Sequence, residues 1–144
     1  MKIIGISISG KDIYTIVLNI DQGIKVEHNK FELNNDSGES LRGLFNYFEI
    51  FLKSNEEIDL IILETAQPIP QRCPSFERIK AEGIIEIVIY DLNLTHKLEK
   101  IKTQKNRKHY HELTKTTKWE EYKRKKYFGK LEQIYAYLML EGKL

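Results

Sequence analysis

The sequence is poor in cysteine and has no long apolar run. Its single cysteine, Cys73, cannot form an internal disulfide, which favours a reducing compartment. Every apolar run is far shorter than the about 20 residues that a membrane-spanning helix needs. The glycine-rich phosphate-binding patterns of nucleotide enzymes are also missing. We therefore expect a cytoplasmic protein with no membrane partner.

The size and composition indicate one folded unit. A chain of 144 residues is in the usual range for a single domain and can bury its own hydrophobic core. Hydrophobic residues make up 41% of the chain and charged residues 31%, which is typical of a globular protein and not of a disordered one. We expect a single domain at residues 1–144.

Charge is distributed unevenly along this chain. Residues 97–130, here called the basic segment, contain thirteen Lys and Arg residues against four acidic ones, a net charge of +9. The remaining residues carry a net charge of −7, so the overall value of +2 hides the asymmetry. Such a difference between two parts of a chain indicates an anionic partner for the basic part.

The basic segment also interleaves cationic with aromatic residues. Lys and Arg neutralise phosphates and release counterions, while exposed aromatic rings stack on unpaired bases. We therefore expect DNA or RNA as the partner, and an acidic protein as the alternative. The predicted nucleic-acid contacts are Lys100, Lys102, Lys105, Arg107, Lys108, Lys123, Arg124, Lys125 and Lys126.

The hydrophobic pattern at the start of the chain predicts three strands joined by short turns. Alternating or β-branched residues mark the first two strands at Lys2–Ser9 and Asp12–Ile20, and a more polar third strand runs over residues 24–33. Short hairpin turns connect antiparallel neighbours. This part is therefore predicted to be an antiparallel meander.

Helices and strands alternate in the remaining prediction. A helix follows at residues 41–52, a buried strand at 59–64, a helix at 75–82 ending at Gly83, a strand at 84–90, and helices at 93–102 and 119–140. Strands connected through helices are parallel neighbours with right-handed crossovers. The predicted fold is α/β, a mixed five-stranded sheet of a three-strand antiparallel meander and two parallel strands, with helices on both faces.

This element order and three short motifs resemble the RNase H-like superfamily. Residues 3–10 (IIGISISG) resemble the first strand of RuvC-type Holliday-junction resolvases, where an apolar-Gly-Ile-Asp pattern is followed closely by Gly. Residues 60–64 (LIILE) resemble the fourth strand, which ends in a catalytic Glu. Residues 131–136 (LEQIYA) are similar to the closing helix, where two acids three residues apart precede an alanine. A family of uncharacterised bacterial RNase H-like proteins is similar too, with Glu where this chain has Ser7.

The resemblance implies a carboxylate site for two metal ions. Two Mg²⁺ or Mn²⁺ ions about 3.5–4 Å apart activate water and stabilise the leaving oxygen of a phosphodiester. In this chain Glu64 and Glu132 match two of the four acidic positions, as catalytic residues and metal ligands. Ser7 and Tyr135 occupy the other two, and a hydroxyl carries no charge at neutral pH.

Two acids elsewhere are candidate substitutes. Glu49 lies at the edge of the apolar face of the first predicted helix, as the helix-borne acid of true RNase H enzymes does. Asp91 follows the predicted strand at 84–90, so its carboxylate is expected at the same end of the sheet as Glu64. Each is also an ordinary choice for a solvated helix edge or a helix start.

Three functions follow from these patterns. The first is nucleic-acid binding by an RNase H-like or RuvC-like protein whose nuclease activity is impaired or lost. The second is an active Mg²⁺- or Mn²⁺-dependent endonuclease or junction resolvase that uses Glu64 and Glu132. The third is a protein-interaction module of a defence or mobile-element system. RuvC-type enzymes act as dimers, so the resemblance also implies a homodimer.

Overall fold

The computed structural model describes residues 1–20, 24–66, 73–102 and Gly142. These ranges contain the strands β1 (Lys2–Ser9), β2 (Asp12–Ile20), β3 (Ile24–Glu32), β4 (Leu60–Thr65) and β5 (Leu98–Lys102), and the helices α1 (Gly38–Ser54) and α2 (Phe76–Asp91). The closing helix predicted at residues 119–140 lies outside them. Neither described helix is long and apolar enough to cross a bilayer.

The strands form one mixed sheet in the order β3-β2-β1-β4-β5. β1 pairs antiparallel with β2, and β2 with β3, while β4 runs parallel to both β1 and β5. Gly10 permits the tight turn between β1 and β2, because its φ of +60° is one that a side chain disfavours. The predicted meander followed by two parallel strands is confirmed.

The two faces of the sheet differ in what covers them. Residues paired across neighbouring strands point to the same face, so Ile4, Ile6 and Leu63 share a first face, while Ser7 and Glu64 share the second. Both described helices pack on the first face, where their buried residues are Leu44, Phe48, Leu52, Ala81, Ile85, Val88 and Ile89. Residues on the second face are buried as well, among them Ile3, Ile16, Leu18 and Ile62.

An aromatic cluster anchors α1 to the first face. The Tyr47 ring lies 4.8 Å from the Phe31 ring and 5.5 Å from the Phe48 ring, measured between centroids. Ser37 caps the start of the helix by accepting a hydrogen bond from the backbone N–H of Ser40 at 3.2 Å. The cap and the cluster together define where α1 begins and which side it buries.

The prediction of a helix at 75–82 and a strand at 84–90 was wrong, because α2 continues without a break from Phe76 to Asp91. Gly83 sits in the middle of the helix and is not a C-cap. The run from 84 to 90 is rich in Ile and Val, and periodicity alone does not separate a buried strand from a helix segment in so short an apolar run. Packing of Ile85, Val88 and Ile89 on the sheet stabilises the helix.

The prediction of a helix at 93–102 was also wrong. Asn93 has a φ of 59°, which ends the helical course of α2. After a 3₁₀ turn at Thr95–Lys97, the chain enters β5, where it forms a parallel ladder with β4. β5 therefore supplies the fifth strand that had been expected at residues 84–90.

Candidate functional site

The structure brings Ser7 and Glu64 together. The parallel register pairs Gly5 with Ile62 and Ile6 with Leu63, so one further step along both strands places Ser7 opposite Glu64. Both side chains therefore point to the second face, at the carboxyl end of β1 and β4. Ligand sites of open α/β sheets are commonly found at this end.

Ser7 is fully buried, with no exposed surface. Its Oγ has no hydrogen-bond partner among the described residues. A buried hydroxyl without a partner costs about 1–3 kcal/mol, and most buried polar groups avoid this cost by hydrogen bonding. Ser7 thus places a small neutral side chain beside Glu64, and its hydroxyl has no hydrogen-bond partner among the described residues.

Glu64 is also fully buried, and a cation lies beside its carboxylate. Arg78 Nη2 is 3.8 Å from Glu64 Oε1, and the Arg78 side chain is only 14% exposed. The same guanidinium uses Nε to contact Glu82 Oε1 at 3.2 Å. Glu82 Oε1 in turn accepts a hydrogen bond of 2.6 Å from the backbone N–H of Ala66, just after β4. Arg78 therefore connects the end of β4 with the first two turns of α2.

The start of α2 positions this arginine. Ser75 caps the helix by accepting a hydrogen bond of 3.2 Å from the backbone N–H of Arg78. Residues four apart on a helix are neighbours, so Arg78 and Glu82 face the end of β4 together. No motif in the sequence indicated a role for Arg78. Its only signal was the spacing of four between an Arg and a Glu in a predicted helix.

A polar row lies beside Ser7 on the neighbouring strands. Tyr14 pairs directly with Ser7 across β1 and β2, and its hydroxyl is 3.4 Å from Asp12 Oδ2. The Asp12 carboxylate also forms an ion pair with Lys30, whose Nζ is 3.7 Å from Asp12 Oδ1. The Asp12 carboxylate is therefore already paired with a cation at the surface.

Glu49 is far from this site. It lies on α1, which packs on the first face, whereas Ser7 and Glu64 point to the second. Its position is about 16 Å along the helix axis from Gly38, toward the end where β1 begins. Its carboxylate contacts Lys53 Nζ at 2.8 Å on the surface. Glu49 therefore does not lie where it could replace an acid beside Ser7 and Glu64.

The prediction that Asp91 follows a strand was wrong, because Asp91 is the last residue of α2. The helix starts near the end of β4 and runs back along the sheet, so Asp91 lies where β4 begins. The contact after α2 supports this placement, since Lys97 Nζ donates a hydrogen bond to the carbonyl oxygen of Ile58. Asp91 is at the opposite end of the sheet from Glu64.

Part of the basic segment adjoins the site. β5 places Lys102 opposite Thr65 of β4, so the exposed Lys102 lies at the same end of the sheet as Glu64. Lys100, also exposed in part, contacts Glu86 of α2 through Nζ at 2.6 Å. The other predicted site residues lie outside the described residues: Lys105, Arg107, Lys108, Lys123, Arg124, Lys125, Lys126, Glu132 and Tyr135.

The described residues do not fit a two-metal centre. Among them, no group of three His, Cys, Asp or Glu side chains could hold a metal ion. At the carboxyl end of β1 and β4, the buried polar side chains among the described residues are the carboxylate of Glu64 and the hydroxyl of Ser7. The cation beside that carboxylate is already supplied by Arg78.

The fold is similar to that of known resolvases. The chain matches Thermus thermophilus RuvC with a TM-score of 0.61 and 9% identity, over 77% of this chain and 69% of that one. A structure of T. thermophilus RuvC in complex with Holliday junction substrate gives 0.61 and 8%, over 76% and 69%. The chain has the RNase H-like fold. The resemblance found in the sequence is thereby confirmed at the level of the fold.

A more distant likeness links this RNase H-like chain to a eukaryotic resolvase. The yeast mitochondrial Holliday junction resolvase matches with a TM-score of 0.51 and 14% identity. That match covers 78% of this chain but only 55% of the yeast protein, so the chain spans about half of its length. No protein-family model matches the sequence, and no curated protein matches it either.

Proposed function

We propose that this protein is an RNase H-like nucleic-acid-binding protein whose nuclease activity is impaired or lost. The observation that carries the proposal is the state of the site at the ends of β1 and β4. There a neutral, buried Ser7 stands beside Glu64, and the Glu64 carboxylate is paired with Arg78.

The chemistry of phosphodiester hydrolysis explains why this arrangement argues against activity. A two-metal site needs several carboxylates to hold two divalent cations a short distance apart. Ser7 brings no negative charge, and the Arg78 guanidinium both neutralises Glu64 and repels a divalent cation. The Arg78 guanidinium thus occupies the surroundings of the Glu64 carboxylate, although it also contacts Glu82.

The basic segment supports nucleic-acid binding. It carries a net charge of +9 and contains aromatic residues among its Lys and Arg residues. Its first residues lie on β5, next to β4, and Lys102 is exposed at the end of the sheet that holds Glu64. T. thermophilus RuvC, which has a similar fold, is known in complex with a Holliday junction. By analogy, we propose that DNA or RNA contacts the same end of this chain.

The test is a combined binding and cleavage assay of the full chain. Labelled single-stranded, duplex and four-way-junction DNA, and the corresponding RNA, are incubated with protein in Mg²⁺, Mn²⁺ or EDTA. We expect binding that is equal in EDTA and in Mg²⁺ and that weakens steeply with salt, with no cleavage. Metal-dependent cleavage by the wild type that Glu64→Ala abolishes would show that the enzyme is active and uses Mg²⁺ or Mn²⁺.

A gain-of-function variant separates a decayed site from one that never cut nucleic acid. Ser7→Asp and Tyr135→Asp restore the two acids, and Arg78→Gln removes the cation beside Glu64. We expect this triple variant to gain Mg²⁺-dependent cleavage. The matched control replaces Ser7→Asp by Ser9→Asp, which adds the same charge at an exposed position on the same strand. Absence of nucleic-acid binding by the wild type would contradict the proposal and favour an acidic protein partner.

A further inference from the structure

Tyr14 on β2 lies beside Ser7 and Glu64 on the second face of the sheet. The register places Tyr14 directly opposite Ser7, and one further step along β1 and β4 places Ser7 opposite Glu64. Neighbouring strands are about 4.8 Å apart, so the backbone of Tyr14 lies about 10 Å from that of Glu64. The second face therefore carries an aromatic side chain two strands away from the Glu64 carboxylate.

Exposure to solvent on this face of β2 begins at Tyr14. Ile16 and Leu18, the next residues of β2 on the second face, are 2% and 0% exposed. Tyr14 is only partly buried, and the Asp12 side chain beyond it is 33% exposed. Packing in the core accounts for Ile16 and Leu18 but leaves part of Tyr14 open. Tyr14 thus lies at the border between the buried part of the second face and the surface.

The hydroxyl group of Tyr14 makes a weak polar contact. Its oxygen is 3.4 Å from Asp12 Oδ2, whereas O–H···O hydrogen bonds are commonly about 2.5–3.0 Å long. The Asp12 carboxylate is at the same time paired with Lys30. Because this long contact gives the hydroxyl little structural value, we expect the function of Tyr14 to lie in its ring.

The charges near this part of the face favour a neutral group over a phosphate. Arg78 contacts the carboxylates of both Glu64 and Glu82, while Asp12 pairs with Lys30. These five side chains comprise three carboxylates and two cations, which is a net charge of −1. Such a cluster repels a phosphate, whereas the flat face of a nucleobase is uncharged and stacks on an aromatic ring. Phosphates are therefore expected at the basic segment and a base at Tyr14.

We propose that the Tyr14 ring stacks on one unpaired base of a bound nucleic acid, next to Ser7 and Glu64. The proposal rests on the proposed function and narrows its substrate class to nucleic acids with unpaired bases, above all single strands. In a duplex each base is enclosed by its neighbours, so the ring of a residue on a sheet cannot reach its flat face. The basic segment, whose first residues lie on β5 beside β4, holds the phosphates of the same strand.

Substitution of the ring tests the proposal through the kind of nucleic acid that is affected. Affinities of the full chain are measured in EDTA for a single-stranded oligonucleotide and for the duplex of the same sequence. Tyr14→Leu should weaken single-strand binding about 10-fold or more and duplex binding less than about 2-fold. Tyr14→Phe keeps the ring and should bind the single strand as the wild type does. The matched control is Tyr90→Leu, because Tyr90 is 72% exposed near the end of α2, away from Glu64.

The salt dependence separates a lost base contact from lost phosphate contacts. Tyr14→Leu should leave the slope of log affinity against log salt unchanged, because on single strands each phosphate contact contributes about 0.7 to it. Thermal unfolding curves check that the variants remain folded. An equal loss of affinity for single strand and duplex, or a reduced slope, overturns the stacking role.

Photo-cross-linking locates the base. A single-stranded oligonucleotide that contains iodouracil is irradiated with the protein, and the product is digested with trypsin. Cleavage after Lys11 and Lys25 releases a peptide of residues 12–25, in which Tyr14 is the one aromatic residue. We expect a cross-link to this peptide in the wild type and in Tyr14→Phe, and none in Tyr14→Leu. Cross-links that leave this peptide unmodified in the wild type overturn the proposal.

Failure of this proposal and failure of the proposed function give different results. A wild type that binds no nucleic acid contradicts the proposed function and the role of Tyr14 together. If the wild type binds single strands and Tyr14→Leu binds them equally well, the role of Tyr14 alone is overturned.

Discussion

The Arg78 guanidinium lies 3.8 Å from the fully buried carboxylate of Glu64, at the end of the sheet where Ser7 is also buried. A carboxylate without exposed surface requires a counter-charge, because desolvation of an unpaired ion is costly. Arg78 provides such a charge from the neighbouring helix α2.

The first prediction concerns this ion pair. Arg78→Gln should lower the free energy of unfolding by about 3 kcal/mol, because it removes a cation beside the buried carboxylate of Glu64. Urea denaturation at neutral pH measures the change. Lys53→Gln is the control, because the exposed Glu49–Lys53 pair should contribute less than about 1 kcal/mol. Similar losses of unfolding free energy in the two variants would contradict a larger contribution of the buried Arg78–Glu64 pair to stability.

A double variant refines this test. Glu64→Gln removes the buried charge, so Arg78→Gln should cost less in that background than in the wild type. The difference is the coupling energy of the pair. Additive effects of the two substitutions would contradict a direct interaction between the side chains.

The second prediction concerns the buried hydroxyl of Ser7. Ser7→Ala should leave the free energy of unfolding unchanged or raise it by about 1 kcal/mol, because it removes a polar atom that has no hydrogen-bond partner among the described residues. Thr15→Ala is a useful contrast, since Thr15 Oγ1 lies 3.5 Å from the carbonyl oxygen of Asn29. A loss above about 1 kcal/mol in Ser7→Ala would reveal a contact of the hydroxyl.

A third prediction uses the same position to test the metal site. Ser7→Asp should lower the melting temperature in EDTA, because a second carboxylate beside Glu64 adds like-charge repulsion. Mn²⁺ or Mg²⁺ should recover part of the loss by binding only the folded state. The control is Asn46→Asp, which adds the same charge at an exposed position of α1, where neither change is expected. An equal response of both variants to Mn²⁺ would argue against a latent site at Ser7 and Glu64.

The fourth prediction concerns the basic segment. Replacing Lys123, Arg124, Lys125 and Lys126 by Gln should weaken DNA binding and reduce the slope of log affinity against log salt by up to about 4, since each phosphate contact contributes about 0.9. The control changes four lysines elsewhere, namely Lys11, Lys30, Lys53 and Lys80. If the two quadruple variants lose affinity equally, net charge and not the segment governs binding.

The fifth prediction is a pH dependence that arises from Tyr47. Burial raises the pKa of Tyr47 above its ordinary value of 10.0, and a hydrogen bond with Thr15 partly opposes this. Above pH 10 the unfolded chain therefore loses the Tyr47 proton before the folded one, so stability falls as pH rises through the folded pKa. Unfolding curves from pH 9 to 11 should show a smaller decline in Tyr47→Phe. Parallel declines in both proteins would contradict the assignment.

Much of the sheet was predictable because its local signals agree with its environment. β1 and β2 alternate or carry β-branched residues, a short turn connects them, and β4 is a continuous apolar run between β1 and β5. That Ser7 and Glu64 are neighbours at the ends of β1 and β4 was implied by the resemblance to RuvC-type resolvases and not by local signals.

The second half of the fold was not predictable from the same rules. α2 is apolar on two sides, so its sequence lacks the period of 3.6 that marks a helix with one buried face. Gly83 then looked like the end of a helix, although it lies in the middle. As a consequence β5 was missed, and Asp91 was placed at the wrong end of the sheet.

The amino-acid sequence by itself determined which chemical groups are available. Position 7 carries a hydroxyl and not a carboxylate, position 64 carries a carboxylate, and positive charge is concentrated from Lys97 onward. These are properties of residue type and local order, which need no long-range contacts. Only the tertiary structure decided that the Arg78 guanidinium lies beside the Glu64 carboxylate. It also decided that Glu49 and Asp91 lie away from this site. The reason is that such relations depend on which helix packs on which face and in which direction, and packing across the whole sheet sets both.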